Sequence, residues 1–212
     1  MDAPVPKTVT SADRWGQFAA EHRLNPERAA LVYALLDHLY ETPRRAYHNI
    51  EHVTQCLDAL VELEALSTES QLALWFHDAV YVAGSDGNER ASAELCRTYG
   101  TWLGFEKAIL DSAADAVFAT THDGMPRSEV ASSVADADLS ILGAATDRYR
   151  SYARSIRIEW SHVPDSDFNT GRASLLRGFL DRSSIYHTAR GQELYEDAAR
   201  ENLTNEIETL TQ

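Results

Sequence analysis

Eight histidines are spread along 212 residues, and four stand beside groups with which they could share chemistry. In Tyr47-His48-Asn49-Ile50-Glu51-His52 two imidazoles lie four residues apart. On a helix both project from one face at roughly 6 Å. Two imidazoles so placed can share a metal, or one can bind it while the other handles a proton. In Trp75-Phe76-His77-Asp78 an adjacent His-Asp pair follows the apolar run Leu72-Ala73-Leu74-Trp75-Phe76. The run must be buried and carries two polar groups inside with it. Buried polar groups need partners, and a divalent cation is one solution. A third place is Ala119-Thr120-Thr121-His122-Asp123, and a fourth is Asp136-Ala137-Asp138 leading into Leu139-Ser140-Ile141-Leu142. Taken singly, each reads equally well as structure: a pair capping a helix start, a chance dipeptide, a helix-end histidine, a helix-start charge. Together they supply nitrogen and oxygen ligands from several elements, a set that suits Mn, Fe, Mg or Zn rather than a thiolate metal. Residues two apart on a helix point to different faces, so only one of Asp136 and Asp138 is expected to reach an ion.

One chemistry that an ion so held can do is phosphoester hydrolysis. A phosphoester resists attack because its oxygens repel a nucleophile, and a divalent ion neutralises that charge and lowers the pKa of its own water toward ~7. Asp78 has two oxygens and could bridge a pair of ions, with His122 as the extra ligand of a second site or a phosphate contact. A leaving alkoxide needs a proton, and a histidine four residues from a ligand is in range to give one. Arg44 and Arg45 could clamp a phosphate bidentately, or be plain surface charges; Arg172 and Arg200 are weaker candidates of the same sort. Tyr81, beside the loop after His-Asp, is the aromatic residue in reach of a substrate. Asn49, within the first histidine segment, joins the substrate-contact set.

These groups need a scaffold, and the chain spells a helical one. The first ten residues read as a loose tail. Ser11 looks like the cap of a helix carrying Trp15, Phe18 and Ala19, and Asn25-Pro26 starts the next with a cap followed by proline. Leu31, Leu35, Leu36 and Leu39 keep helical spacing through Tyr40, where Thr42-Pro43 breaks it. A third helix is expected from His48 to Leu66, and a fourth from Glu69 to Tyr81 behind Ser67 and Thr68. Residues 83–87 read as a loop. Further helices are expected near 88–103, 105–121, 128–143, 146–160, 167–182 and 191–210. No segment alternates with a two-residue period. The expectation is all-α: one compact bundle of about nine or ten helices filling residues 11–212. Trp75, Phe76, Trp102, Phe105, Phe118 and Phe179 are expected in its core, and Glu193 to Glu208 on a solvated face. His22 and His38 are expected on the surface, with His162 and His187 in loops, none of them ligands.

Composition narrows the function further. The chain is 44% hydrophobic and 25% charged, with 19 basic residues against 33 acidic ones and a net charge of −14. That balance argues against holding nucleic acid by its phosphates, which needs a basic surface, and against docking on an anionic membrane. Cys56 and Cys96 are too few for a disulfide framework or a Cys-rich zinc site and read as small core residues. No apolar stretch reads as a signal peptide or a membrane span, so a cytoplasmic protein is expected, as monomer or homodimer.

At this point the sequence resembles a known family, the HD superfamily of metal-dependent phosphohydrolases, defined by a first His, an adjacent His-Asp pair and a later Asp on an all-α bundle. The likeness spans nearly the whole chain. Arg45-Ala46-Tyr47-His48-Asn49 with His52, Leu74 to Tyr81, Asn88-Glu89 with Ser92-Ala93, Asp136 to Gly143, Gly171-Arg172 and Ala199 to Leu203 look like segments of a bacterial group of predicted HD phosphohydrolases. More distantly, Tyr47 to His52 and Ala137-Asp138-Leu139-Ser140 are similar to pieces of cyclic-nucleotide phosphodiesterases. That resemblance implies His48 as general acid, His52 as first ligand, and His77, Asp78 and Asp138 completing the set. It favours Asp138 over Asp136, and implies Glu89 as a group orienting a ligand or a water. The chain is shorter than a phosphodiesterase catalytic domain and shows no purine-gripping Gln and Phe, so cyclic-nucleotide hydrolysis does not follow. The expected function is hydrolysis of a small phosphoester, a nucleotide among the candidates, with one or two divalent ions. A di-iron oxygenase on the same fold and a non-catalytic, metal-stabilised binding module are the alternatives.

Overall fold

The computed structural model describes residues 9–212, and most of the expected tail lies outside them. Ten α-helices are present among the described residues, and no strand. They are α1 (Ser11–Glu21), α2 (Pro26–Tyr40), α3 (Ile50–Glu62), α4 (Thr68–Phe76), α5 (Asn88–Leu103), α6 (Lys107–Ala119), α7 (Glu129–Asp138), α8 (Thr146–Glu159), α9 (Asp165–Leu180) and α10 (Ala189–Leu210). A 3₁₀ turn, Leu139–Gly143, follows α7. The all-α expectation holds.

The caps explain several boundaries. Thr10, rather than Ser11, caps α1, in a reciprocal box with Asp13. Asn25 caps α2 with Pro26 at its first position, as the sequence suggests. Asn49 takes the backbone N–H of Glu51 and of His52, so α3 starts at Ile50 and His48 stands before the helix rather than on it. Helix α4 stops at Phe76, well short of Tyr81.

The core runs the length of the bundle. Helix α4 is its spine: Leu72, Ala73, Leu74, Trp75 and Phe76 are all fully buried, and α4 packs against α3, α5, α6 and α7. That burial is general to the helix, which is why its apolar run shows no solvent face. Trp15 packs edge-on against Trp75 with centroids 5.2 Å apart. Helix α10 closes the bundle over α9 and the 3₁₀ turn. Two aromatic residues expected in the core are at the surface instead: Trp102 is 38% exposed and Phe118 39%. Trp102 lies under the Arg28 guanidinium. His22 is half-buried against Phe18 and Phe105 rather than free on the surface. The C-terminal helix is less solvated than its charge suggests, because Glu196 and Glu206 turn inward to bind Ser184–Tyr186 and Arg172. Among the described residues, no helix is long and apolar enough to cross a membrane.

Candidate metal centre

Three helix ends meet at one point. Helix α3 brings His52 in its first turn, the end of α4 brings His77 and Asp78, and the end of α7 brings Asp138. The His52 and His77 Nε2 atoms are 3.1 Å apart. Asp138 Oδ1 lies 3.0 Å from His52 Nε2 and 3.6 Å from His77 Nε2. Asp78 Oδ2 lies 3.1 Å from His77 Nε2 and 3.6 Å from His52 Nε2. Bonds of about 2.1 Å from an ion to nitrogen and oxygen imply ligand edges of about 3.0 Å in an octahedron and 3.4 Å in a tetrahedron. The five distances fall close to those edges, the spacing that a divalent ion shared by these donors would need. His77 Nδ1 donates to the Leu74 carbonyl at 2.9 Å, so in the neutral ring Nε2 carries the lone pair, the outer-sphere arrangement of a ligating histidine.

Electrostatics points the same way. Both histidines and both carboxylates are buried or nearly so. Burial would raise Asp78, but the His77 and His48 charges hold it far below the usual carboxylate range. Asp138 is likewise low against its burial, through hydrogen bonds to His122, His52 and His77. Burial lowers His52. His77 stands well above its ordinary value in spite of burial, because Asp78 and Asp138 demand positive charge at this point. Two buried carboxylates of this kind need compensating positive charge, which protonated histidines or a bound cation can supply.

Other candidates fall around this cluster. His122 Nε2 is 2.9 Å from Asp138 Oδ2, the oxygen turned away from His52. Its backbone is left-handed, with φ 57°, an uncommon conformation for a non-glycine residue that aims the ring at Asp138. Its Nδ1 is buried without a partner. A cavity of about 420 Å³ opens over the cluster, lined by His48, Asp78, Tyr81, Glu89, His122 and Asp138 among others. A larger one of about 730 Å³ lies behind Tyr47, Tyr152 and Ile141 and touches His52 alone of the four donors, so the smaller is the one that reaches the chemistry.

His48 sits in that smaller cavity, its ring centroid 5.8 Å from that of His52. Its Nδ1 is 2.6 Å from Glu159 Oε2. Glu159 also accepts the backbone N–H groups of Tyr47 and His48 and the Tyr81 hydroxyl. Tyr81 stacks on His48 with centroids 4.2 Å apart. Burial lowers His48, but the charges of Asp78, Glu159 and Asp138 outweigh it and hold the imidazole above its ordinary value. Glu159 is the partner of His48 that the sequence did not flag. Its only signal is its place on the inner stripe of α8, after Tyr149, Tyr152 and Ile156 at steps of three and four.

Four further candidates lie outside the ion cluster. The Arg45 guanidinium donates to the carbonyls of His48, Asp78 and Ala79 and lies over Tyr40 and Tyr81. It closes the end of α4 and so positions Asp78. Arg44 is exposed and lines neither cavity. Asn49 spends its side chain on the cap of α3 and faces the larger cavity, away from His77 and the two aspartates. Asp136 is fully buried and accepts from His187 N, Thr188 N and Thr188 Oγ1, which fixes the start of α10 and keeps it away from the ion cluster. The weaker candidates are also engaged, Arg172 by Glu206 and Tyr152, and Arg200 by Glu196 and the carbonyls after α9.

Cys56, read as a core residue, lies one turn along α3 from His52 with its Sγ 3.5 Å from His52 Nδ1 and 3.6 Å from Nε2. His52, Cys56, His77 and Asp138 each bring one donor atom within 4.8 Å of the others. Burial, with the Asp138 and Asp78 charges, pushes the thiol well above its ordinary value.

Comparison with protein-family models, curated proteins and solved structures finds no match to this chain.

Proposed function

We propose that this chain is a metal-dependent phosphohydrolase of the HD type that cleaves a small phosphoester. The observation that carries the reading is the convergence of His52, His77, Asp78 and Asp138 from three helix ends, at ion-ligand spacing, beneath a cavity that also holds His48. These four side chains would hold the first divalent ion, and His122 with Asp138 Oδ2 is placed to help hold a second. Such an ion supplies charge neutralisation at the phosphoryl oxygens and an acidified water.

The remaining work falls to the chain. His48 gives its proton to the leaving alkoxide, with Glu159 fixing the ring and keeping it protonated. Tyr81 holds the other face of that ring. Glu89, half-buried on the cavity wall, orients a water or a ligand. Leu139, Ile156, Trp160, Leu175 and Phe179 give the cavity an apolar side for the alcohol part of the ester.

The test is elemental analysis of protein purified without a metal-affinity tag, for wild type and Asp78→Ala, followed by a phosphoester screen with the ion found. We expect about one or two divalent ions per chain, lost in the variant, and turnover that depends on them. No stoichiometric ion after soaking with Mn, Fe, Mg and Zn overturns the reading. Iron with visible absorbance and oxygen consumption, and no phosphoester turnover, would point to an oxygenase instead. An ion that holds the fold together without any turnover would point to a binding module.

A further inference from the structure

Asp78 is not the only fourth donor within reach of His52, His77 and Asp138. Cys56 is 1% exposed and sits on α3 one turn beyond His52, so the two side chains share a helix face. Its Sγ is 3.6 Å from His52 Nε2. That spacing is near the tetrahedral S···N edge of about 3.5 Å for a shared ion; Sγ is also 3.5 Å from Nδ1, so the thiol lies beside the ring and turns toward the Nε2 lone pair to take an ion. Three other donor pairs are 3.1 Å for His52–His77, 3.0 Å for His52–Asp138 and 3.6 Å for His77–Asp138, and the thiol lies within 4.8 Å of the His77 and Asp138 donors. The cluster therefore contains two overlapping donor sets that share three members. One is closed by the Asp78 carboxylate and is all nitrogen and oxygen. The other is closed by a thiol, and sulfur favours borderline and soft ions over Mg²⁺.

We propose that Cys56 is a direct ligand of the ion at this site, so that the site selects a borderline ion such as Zn²⁺, Fe²⁺ or Co²⁺ over Mg²⁺. The proposal rests on the metal-centre reading above and adds the sulfur to it. On binding, the S–H bond breaks, a sulfur–metal bond forms and the proton leaves to solvent. Cys96, the other cysteine, is buried on α5, outside this group of donors, and serves as the control.

The experiment loads Co²⁺ alone into wild type, Cys56→Ser, Cys56→Ala and Cys96→Ser, with helicity checked by circular dichroism. A near-ultraviolet sulfur-to-cobalt charge-transfer band is expected in wild type and Cys96→Ser, and absent from both Cys56 variants. Competition titrations should show Zn²⁺ and Co²⁺ affinity falling in Cys56→Ser by at least the ~10–100-fold typical of losing an outer-sphere partner, with Mg²⁺ affinity unchanged. Wild type that takes up stoichiometric Co²⁺ with visible ligand-field bands but no charge-transfer band overturns the role of Cys56 and leaves the His and Asp site standing. Wild type that takes up no Co²⁺ overturns both. Because the wild-type spectrum alone decides the first point, a Cys56 variant that fails to fold does not remove the test.

Discussion

At the scale of single residues, one buried carboxylate does much of the positioning. Glu159 accepts four hydrogen bonds, from two backbone N–H groups, a histidine and a tyrosine. Glu159→Gln keeps the shape and one acceptor oxygen but removes the charge. The proposed acid, His48, then loses a partner that holds its imidazole above the ordinary range. We expect kcat on a phosphoester to fall about 10²-fold, the lower end of what a positioned general acid contributes. An acid must be protonated to act, and its activity is lost as pH rises through its pKa. Lowering that pKa moves the alkaline limb of the rate profile to lower pH. Ion content should not change, because Glu159 touches none of His52, His77, Asp78 or Asp138. A loss of activity with the alkaline limb unmoved would leave Glu159 only a structural part. His77 and Asp78 were legible because polar groups fused to an apolar run must find partners inside, and His48 and His52 by their four-residue spacing, whereas the choice of Asp138 over Asp136 came from the family resemblance. Glu159 was not legible, since it lies 111 residues from His48 and its worth arises only when the end of α8 meets the turn before α3. The Arg45 contacts were equally hidden, since its carbonyl partners after α4 lie more than thirty residues along the chain.

At the scale of helices, the ends matter more than the middles. Every proposed ligand except His52 sits at or just past a helix terminus, so whatever fixes the terminus fixes the ligand. Periodicity suggested that α3 and α4 were longer, because apolar spacing continues past the point where the chain leaves the helix. Asn49 stops one and the Arg45 donors accompany the end of the other. The stretch 128–143 read as one helix, but the Leu139 carbonyl accepts from the Tyr186 hydroxyl and the Leu142 and Ala144 carbonyls accept from Asn202. Those donors come from the far end of the chain, and no local pattern announces them. They let α7 tighten into a 3₁₀ turn just where Asp138 must turn toward the ion site. The start of α10 is held from the same helix, through Asp136. Gly191 lies so near it that an added Cβ would come within 2.5 Å of Asp136 Oδ2 and 3.0 Å of Thr188 Oγ1. Alanine normally gains about 0.5–1 kcal/mol over glycine in a helix. Here overpacking of about 1–3 kcal/mol opposes it and displaces the Asp136 hydrogen bonds. We expect Gly191→Ala to lose about 1–2 kcal/mol in denaturant unfolding, while Gly171→Ala, on α9 with nothing within 4 Å of its added Cβ, gains stability. Equal effects at the two sites would show that the Asp136 clamp carries no strain.

At the scale of the whole molecule, the proposed ion is also a tie between helices. Its donors come from α3, from the end of α4 and from the end of α7, elements packed on one another across the core. The unfolded chain scatters these donors over 87 positions, from His52 to Asp138, so it cannot present the same site. An ion that binds the folded form alone stabilises it by about 2.7 kcal/mol at a hundred times its Kd. For a chain of this length each kcal/mol moves Tm by about 2–4 °C, so the expected rise over chelator-treated protein is roughly 5–10 °C. Screening is a competing cause, because a chain with a net charge of −14 gains from any added cation. The two causes separate in Asp78→Ala. That variant keeps almost all of the surface charge and loses a buried donor. Site binding predicts that its ion-dependent rise shrinks to the small shift that wild type shows with matched ionic strength in NaCl. Screening predicts equal rises in both proteins. Differential scanning calorimetry on the two proteins, with and without ion at constant ionic strength, decides between them. An ion-independent Tm in wild type would mean that the helix ends hold the four donors together unaided, and that the carboxylate pair is balanced by His77 alone.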